Sequence, residues 1–231
     1  MHRKRLSAKL NYPLERKGKK RFVFCPRPGP HKKDESIPLA SLLRDVLKYC
    51  ENAKEAKHVI KAGKITVDGK VRKDHKYPVG IFDVVGIPEI NEYYVIVPGE
   101  KWFKLVKTEK KDVKICRIEN KTKVKGGKTQ LNLYDGKNIL VDEDVYKTGD
   151  SILVSLPDLK IKKHIKKEKG CLCLIIKGSR KGKIGRLKEI KKIRGPHPNL
   201  ASVEIDQSVV EVPEKFVFVI GEKTPEIDLG D

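Results

Sequence analysis

The 231-residue sequence contains no apolar run approaching the roughly 18 residues that a membrane-spanning helix needs. It also lacks a basic amphipathic helix with a strong aromatic face, the pattern of a segment that lies on an anionic bilayer. The opening "MHRKRLSAKL" is basic but leads into no apolar signal core, so secretion is not expected. The following "ERKGKKRFVFCPRPGPHKK" has too many lysines and prolines for an amphipathic targeting helix. Cysteine is sparse: Cys25, Cys50, Cys116, Cys171 and Cys173 are odd in number and scattered, as expected of reduced thiols inside a cell. Cys171 and Cys173 fall on one strand face but have no C-x-x-C partner, which makes them a poor metal site. The six histidines show no H-x-x-x-H spacing. No metal and no other cofactor is expected.

Positive charge is what the sequence has in excess. Lys and Arg number 52 against 31 Asp and Glu, giving a formal net charge of +21. Such a chain is drawn to a polyanion, and nucleic acid is the leading partner class. Residues 1–35 have little hydrophobic periodicity and concentrate Arg3, Lys4, Arg5, Lys19, Lys20, Arg21, Arg27, His31, Lys32 and Lys33. This segment cannot bury a core of its own. Pro26, Pro28 and Pro30 forbid a helix and favour an extended path whose cations can follow a phosphate backbone. A solvated tail is the alternative. His31 and His75, set among prolines and lysines, are candidate RNA contacts, with ordinary exposed side chains as the equal alternative.

From Ser36, read as an N-cap, Leu39, Leu42, Leu43, Val46, Leu47 and Cys50 recur at helical spacing and predict one amphipathic helix. Asn52 with Glu55 predicts a capped second helix that buries Ala56, Val59 and Ile60 and ends at Gly63. "KITVDGKV" then reads as a hairpin turning at Asp68-Gly69. Arg44, Lys54, Lys57, Lys61, Lys64, Lys70, Arg72, Lys73 and Lys76 make this module basic over both helices and the hairpin. Two short helices followed by "GKITVDGKVRKDHKYPV" resemble the small RNA-binding module named after bacterial ribosomal protein S4, with Ala56, Ile60, Gly63, Ile65, Val67, Asp68, Gly69 and Val71 at its pattern positions. Ala53 stands where that module usually has a basic residue, with Lys54 beside it.

Beyond Pro78 short β-branched and aromatic runs punctuated by Gly, Pro, Asn and Asp predict strands. "YDGKN" signals another tight turn. "KGGKTQ", with Lys128, reads as a basic strand connection. Trp102 and Phe103 are either core or base-stacking residues. In the last third, "IIKGSRKGKIGRLKEI" echoes two enzyme motifs. A phosphate loop, G-x-x-x-x-G-K-[ST], needs one more residue between Gly178 and Gly182 and a hydroxyl where Ile184 stands. RNA pseudouridine synthases carry a similar Gly-Arg-Leu run followed by a catalytic Asp, and here the next residue is Lys188. Flanked by "CLCLII" and "IGRLKEI", both strand-like, Gly178–Lys183 is a basic loop. Its glycines allow close approach to RNA while Arg180, Lys181, Lys183 and Arg186 supply charge.

Ile175, Ile176, Gly178, Lys181, Gly182, Ile184, Gly185 and Leu187 resemble the KOW motif of ribosomal proteins and elongation factors. Taken together, the basic tail ending in "RPGPHKKDESIPLASLLRDVL", the helix–hairpin module, "VKGGKTQLNLYDGKN" and the KOW-like unit resemble the archaeal and eukaryotic S4e family of small-subunit ribosomal proteins across essentially the whole chain. The compact C-terminus is more like the archaeal form. The resemblance implies a non-catalytic, cytoplasmic component of the small ribosomal subunit. It would bind 16S-type rRNA early in assembly, beside neighbouring small-subunit proteins and without a homo-oligomer or a membrane. The expected fold is an α+β multidomain chain: a basic extension (1–35), a helix–hairpin RNA-binding module (36–85), a central β-domain (86–165) and a KOW-type SH3-like barrel with a tail (166–231). An RNA-modifying enzyme or a KOW-containing transcription or translation factor are the alternatives.

Overall fold

A computed structural model describes residues 2–4, 22–99, 103–124 and 126–230. The structure is mostly β, with a small helical region, and divides into two compact units, one ending at Asp112 and one holding Val113 onward. Each unit is built around its own sheets.

In the first unit, β1 (His2–Lys4) pairs antiparallel with β2 (Phe22–Phe24). β3 (Ser36–Pro38) pairs with β6 (Pro78–Gly80), the two strands lying either side of the helices and hairpin in the sequence. The expected first helix is therefore shorter than its apolar stripe. It begins at Leu39 as α1 (Leu39–Ser41), widens into a π-helical turn at Leu42–Val46 and ends where Lys48 turns left-handed at φ 59°. Ser36 is a strand residue, not the N-cap, and its buried hydroxyl has no hydrogen-bond partner among the described residues. Pairing of Ile37 with Val79 outweighs the local helical signal, and Pro38 takes the cap position without a side-chain bond. Leu39, Leu42 and Leu43 are nevertheless fully buried, as their spacing demands.

The second helix, α2 (Ala53–Lys61), follows its sequence signals closely. Asn52 Oδ1 accepts from the amides of Lys54 and Glu55, both at 2.9 Å, and Gly63 ends the turn at φ 80°. Glu55 reaches back one residue further than a capping box, to the amide of Glu51. Ala56 and Ile60 form the buried stripe. β4 (Thr66–Val67) and β5 (Lys70–Val71) close the expected hairpin, with Asp68 and Gly69 at φ 52° and 72°. The hairpin extends into a five-stranded sheet through β7 (Val84–Ile87), β8 (Glu92–Pro98) and β9 (Phe103–Lys107), in the order β5-β4-β7-β8-β9. Asp68 locks the turn to that sheet by accepting the Val84 amide at 3.0 Å.

The second unit holds two five-stranded antiparallel sheets. The first comprises β10 (Val113–Lys123), β11 (Thr129–Leu133), β12 (Asn138–Val141), β13 (Ser151–Ser155) and β14 (Ile161–Ile165), ordered β12-β11-β10-β13-β14. The "YDGKN" turn joins β11 to β12 with Gly136 at φ 72°. Cys116, Ile118, Leu131, Leu133, Ile152 and Val154 form its core. The second sheet comprises β15 (Leu172–Ile175), β16 (Ile184–Lys191), β17 (Leu200–Ile205), β18 (Ser208–Pro213) and β19 (Val217–Gly221), ordered β18-β17-β16-β15-β19.

Arg117 bolts the two sheets together. Its Nη1 donates to the carbonyls of Lys215 and Val217, both at 3.0 Å, and its guanidinium lies against the rings of Tyr134 and Phe218. Gly185 is required on β16, because a Cβ there would sit 2.5 Å from the Glu204 carbonyl oxygen.

Candidate nucleic-acid interface

Because α2 buries Ala56 and Ile60, the residues at complementary helical spacing, Lys54, Lys57 and Lys61, are exposed. The hairpin adds exposed Lys70, and the connection that follows it adds exposed Lys73. None of these five lysines has an ion pair among the described residues. Lys64 is also exposed but is bonded to Glu89 at 3.0 Å. The module thus presents uncompensated ammonium groups on a rigid scaffold, an arrangement suited to phosphate.

The connection from β5 to β6, residues 72–77, adds a compact second group. The Arg72 guanidinium stacks over the Tyr77 ring at 4.5 Å, and its Nε is buried without a hydrogen-bond partner among the described residues. Arg27 donates its amide to the Lys76 carbonyl at 3.0 Å and its Nη1 to Asp74 Oδ2 at 3.2 Å, which fixes the proline-rich segment against this loop. Lys76 is half-buried, while Lys32 and Lys33 are exposed further along the same segment.

Two of the expected contacts are not surface groups at all. His31 is buried, with Nε2 at 2.9 and 3.0 Å from the two carboxylate oxygens of Asp83. Asp83 also accepts the Gly80 amide, and a Cβ on Gly80 would lie 2.3 Å from the His31 ring. His31 is therefore a structural pin for the segment that displays Lys32 and Lys33. Arg44 is likewise buried: Nε and Nη2 bond both oxygens of Asp45 at 2.8 Å, and the guanidinium covers the Phe24 ring. A charge neutralised and enclosed in this way is withdrawn from any polyanion. Lys4 is exposed, and for Arg3 only the backbone is described. Arg5, Lys19, Lys20, Arg21 and Trp102 lie outside the described residues. Phe103 is 5% exposed and belongs to the core.

In the second unit Lys128 is exposed and bonded to Asp142 at 3.0 Å. The loop between β15 and β16 carries Arg180, which is exposed, and half-buried Lys181 and Lys183; Arg186 is exposed on β16. Burial pushes the Lys181 ammonium below its ordinary pKa range. Gly178 and Gly182 take φ values of 90° and 86°. The amides of Lys181, Gly182 and Lys183 donate inside the turn, to Gly178, Ile175 and Arg180 respectively. A phosphate loop would aim such amides at its ligand, so the enzymatic echo in this stretch is structural only.

Sequence alone does not single out Arg117 and Lys114, two basic residues that turn inward. Lys114 is buried against Asp135 at 2.9 Å. A signal for them exists in principle, since both lie within the alternating apolar run of β10, where a cation must find a partner. Cys171 and Cys173 are buried, and desolvation pushes the Cys173 thiol up to about 12, leaving it protonated and unreactive at neutral pH. Among the described residues no helix is long and apolar enough to cross a membrane.

Comparison with known proteins extends this picture over the whole chain. A family model described as "S4 domain" matches residues 38–85, and one described as "Ribosomal family S4e" matches residues 90–161. The chain is 48% identical to "Small ribosomal subunit protein eS4" of Archaeoglobus fulgidus, over 100% of this chain and 98% of that protein. It is 45% identical to the protein of the same name from Methanocaldococcus jannaschii, over 99% and 97%. The crystal structure of 30S ribosomal protein S4e from Thermoplasma acidophilum superposes with a TM-score of 0.71 at 31% identity, covering 82% of this chain and 96% of that one.

Proposed function

The chain belongs to the ribosomal S4e family, and from that premise we propose that it is a structural constituent of the small ribosomal subunit in the cytoplasm. It binds 16S-type rRNA and neighbouring small-subunit proteins, and it is not an enzyme. The observation that carries the reading is the near-complete coverage of relatives bearing that name, together with five exposed lysines that the chain leaves without ion pairs among the described residues.

In this reading several basic surfaces act together. Linked contacts can raise avidity by about two to four orders of magnitude without any one being strong. Lys54, Lys57, Lys61, Lys70 and Lys73 form the principal surface, supported by Lys4, Arg27, Lys32, Lys33, Lys64, Arg72 and Lys76. Lys128, Arg180, Lys181, Lys183 and Arg186 supply contacts from the second unit. The segments 1–35, 36–85, 86–165 and 166–231 are proposed as the units of this division of labour. We read the last sheet as KOW-type, supported by its antiparallel order and by the Gly-rich basic loop joining β15 to β16.

The test is sedimentation of cell extract through a high-salt gradient. An integral component stays with the small subunit. Complete release from it into the soluble fractions would instead make the chain a transient factor.

A further inference from the structure

His75 lies outside the lysine surface described above, yet the fold surrounds it with cations. Its ring meets Phe24 edge-on at a centroid distance of 5.6 Å, and Lys57 Nζ, from α2, lies 5.8 Å from the centre of the same Phe24 ring. Arg27 arrives from the proline-rich segment and Lys76 from the next position in the loop. The acid facing this group is Asp74, whose Oδ1 is 3.8 Å from His75 Nδ1 and whose Oδ2 is already engaged by Arg27. From α1 the contact is a backbone one, the Ala40 amide donating to the His75 carbonyl at 3.0 Å. Behind Phe24, Arg44 is neutralised by Asp45. The His75 side chain is 19% exposed, and its Nε2 has no hydrogen-bond partner among the described residues.

Resting on the RNA-binding reading, the geometry points to a proton-linked phosphate site at the β5–β6 connection, where His75, flanked by Lys57, Lys76 and Arg27, donates to one phosphodiester of bound RNA. The loop is a built site: Asp74 accepts the Lys76 amide at 2.9 Å and, with Arg27, sets the orientation of the turn before RNA arrives. A side chain that must gain a proton to serve as a two-donor cation makes binding sensitive to pH in a range where lysines are not.

The sign follows from the free state. Burial, then the nearby Lys57, Lys76 and Arg27, hold the His75 imidazole below its ordinary range, and Asp74 offsets this only in part. A phosphate anion at this point favours the imidazolium and raises its pKa. RNA binding therefore takes up a proton, and affinity rises as pH falls from 8 towards 5. Each unit by which RNA raises the pKa corresponds to about tenfold in affinity at the acid end.

The experiment measures binding of transcribed small-subunit rRNA to the full chain between pH 8 and 5, for wild type and His75→Gln. The wild type is expected to gain up to about tenfold more than the variant as pH falls. Equal pH dependence in the two overturns the site. Absence of rRNA binding by the wild type at every pH overturns the RNA-binding reading itself. A second readout does not depend on the variant folding: the His75 ring-proton resonance should titrate at higher pH in the rRNA-bound full chain than in the free chain, and an unchanged midpoint also overturns the site.

Discussion

The lysines of the helix–hairpin module and those of the last sheet are equally prominent in the sequence and differ in what the fold does with them. On α2, the β4–β5 hairpin and the start of the β5–β6 connection, Lys54, Lys57, Lys61, Lys70 and Lys73 face solvent without an ion pair among the described residues. On β16 and beside it, Lys188 bonds Glu204 at 3.0 Å, Lys191 bonds Glu211 at 2.5 Å and Lys167 bonds Glu214 at 2.8 Å. The first set is held as surplus positive charge, which costs self-repulsion and is available to a polyanion. The second is neutralised by acids on the same sheet or its flanking turns. Counting cations in a sequence therefore overstates an RNA surface; what matters is which of them the fold leaves uncompensated.

The largest expected effect breaks the first half of that comparison. Replacing Lys54, Lys57, Lys61, Lys70 and Lys73 together with alanine should lower rRNA affinity on the order of a hundredfold at moderate salt. Filter binding at fixed ionic strength checks this, with circular dichroism to show that α2 persists. Next, Arg117→Ala should destabilise the chain by about 3 kcal/mol in urea unfolding, because the buried Val217 carbonyl and the part-buried Lys215 carbonyl lose a charged donor and the packing on Tyr134 and Phe218 is lost. Its direct effect on rRNA binding should be small, which separates inward-facing from outward-facing basic residues. The smallest effect belongs to the paired lysines: Lys188→Ala with Lys191→Ala should change stability by less than about 1 kcal/mol, since exposed pairs contribute little. Affinity in the same filter assay should change by less than about twofold, because these charges are already neutralised within the chain.

How much of this was legible in the sequence depends on the range of the interaction concerned. The cap at Asn52, the left-handed Gly63, the Asp68-Gly69 turn and the strands flanking Gly178–Lys183 are set by neighbours in sequence, and all of them appear where the pattern placed them. The first helix failed at its start because Ile37 is claimed by Val79, a partner that no local window contains. β8 and β9 read as strands, but nothing in their sequence says that they extend the sheet of the β4–β5 hairpin.

Charge behaved in the same way. The Lys-rich face of α2 follows directly from the buried positions Ala56 and Ile60. His31 and Arg44 look like members of the same basic surface, yet Asp83, 52 residues from His31, and the adjacent Asp45 pull them into the interior. An aspartate next to an arginine is a readable warning; one so distant is not.

That uncompensated lysines, and not lysines in general, hold the RNA is tested most directly by the slope of log affinity against log salt for the full chain on small-subunit rRNA. The wild-type slope should be steep and should become shallower by about 3.5 to 4.5 in the five-lysine variant, roughly 0.7 to 0.9 for each of five phosphates that is no longer neutralised. In the Lys188, Lys191 double variant the slope should match the wild type. Equal slopes for the wild type and the five-lysine variant, or an equal flattening in both variants, would contradict the claim.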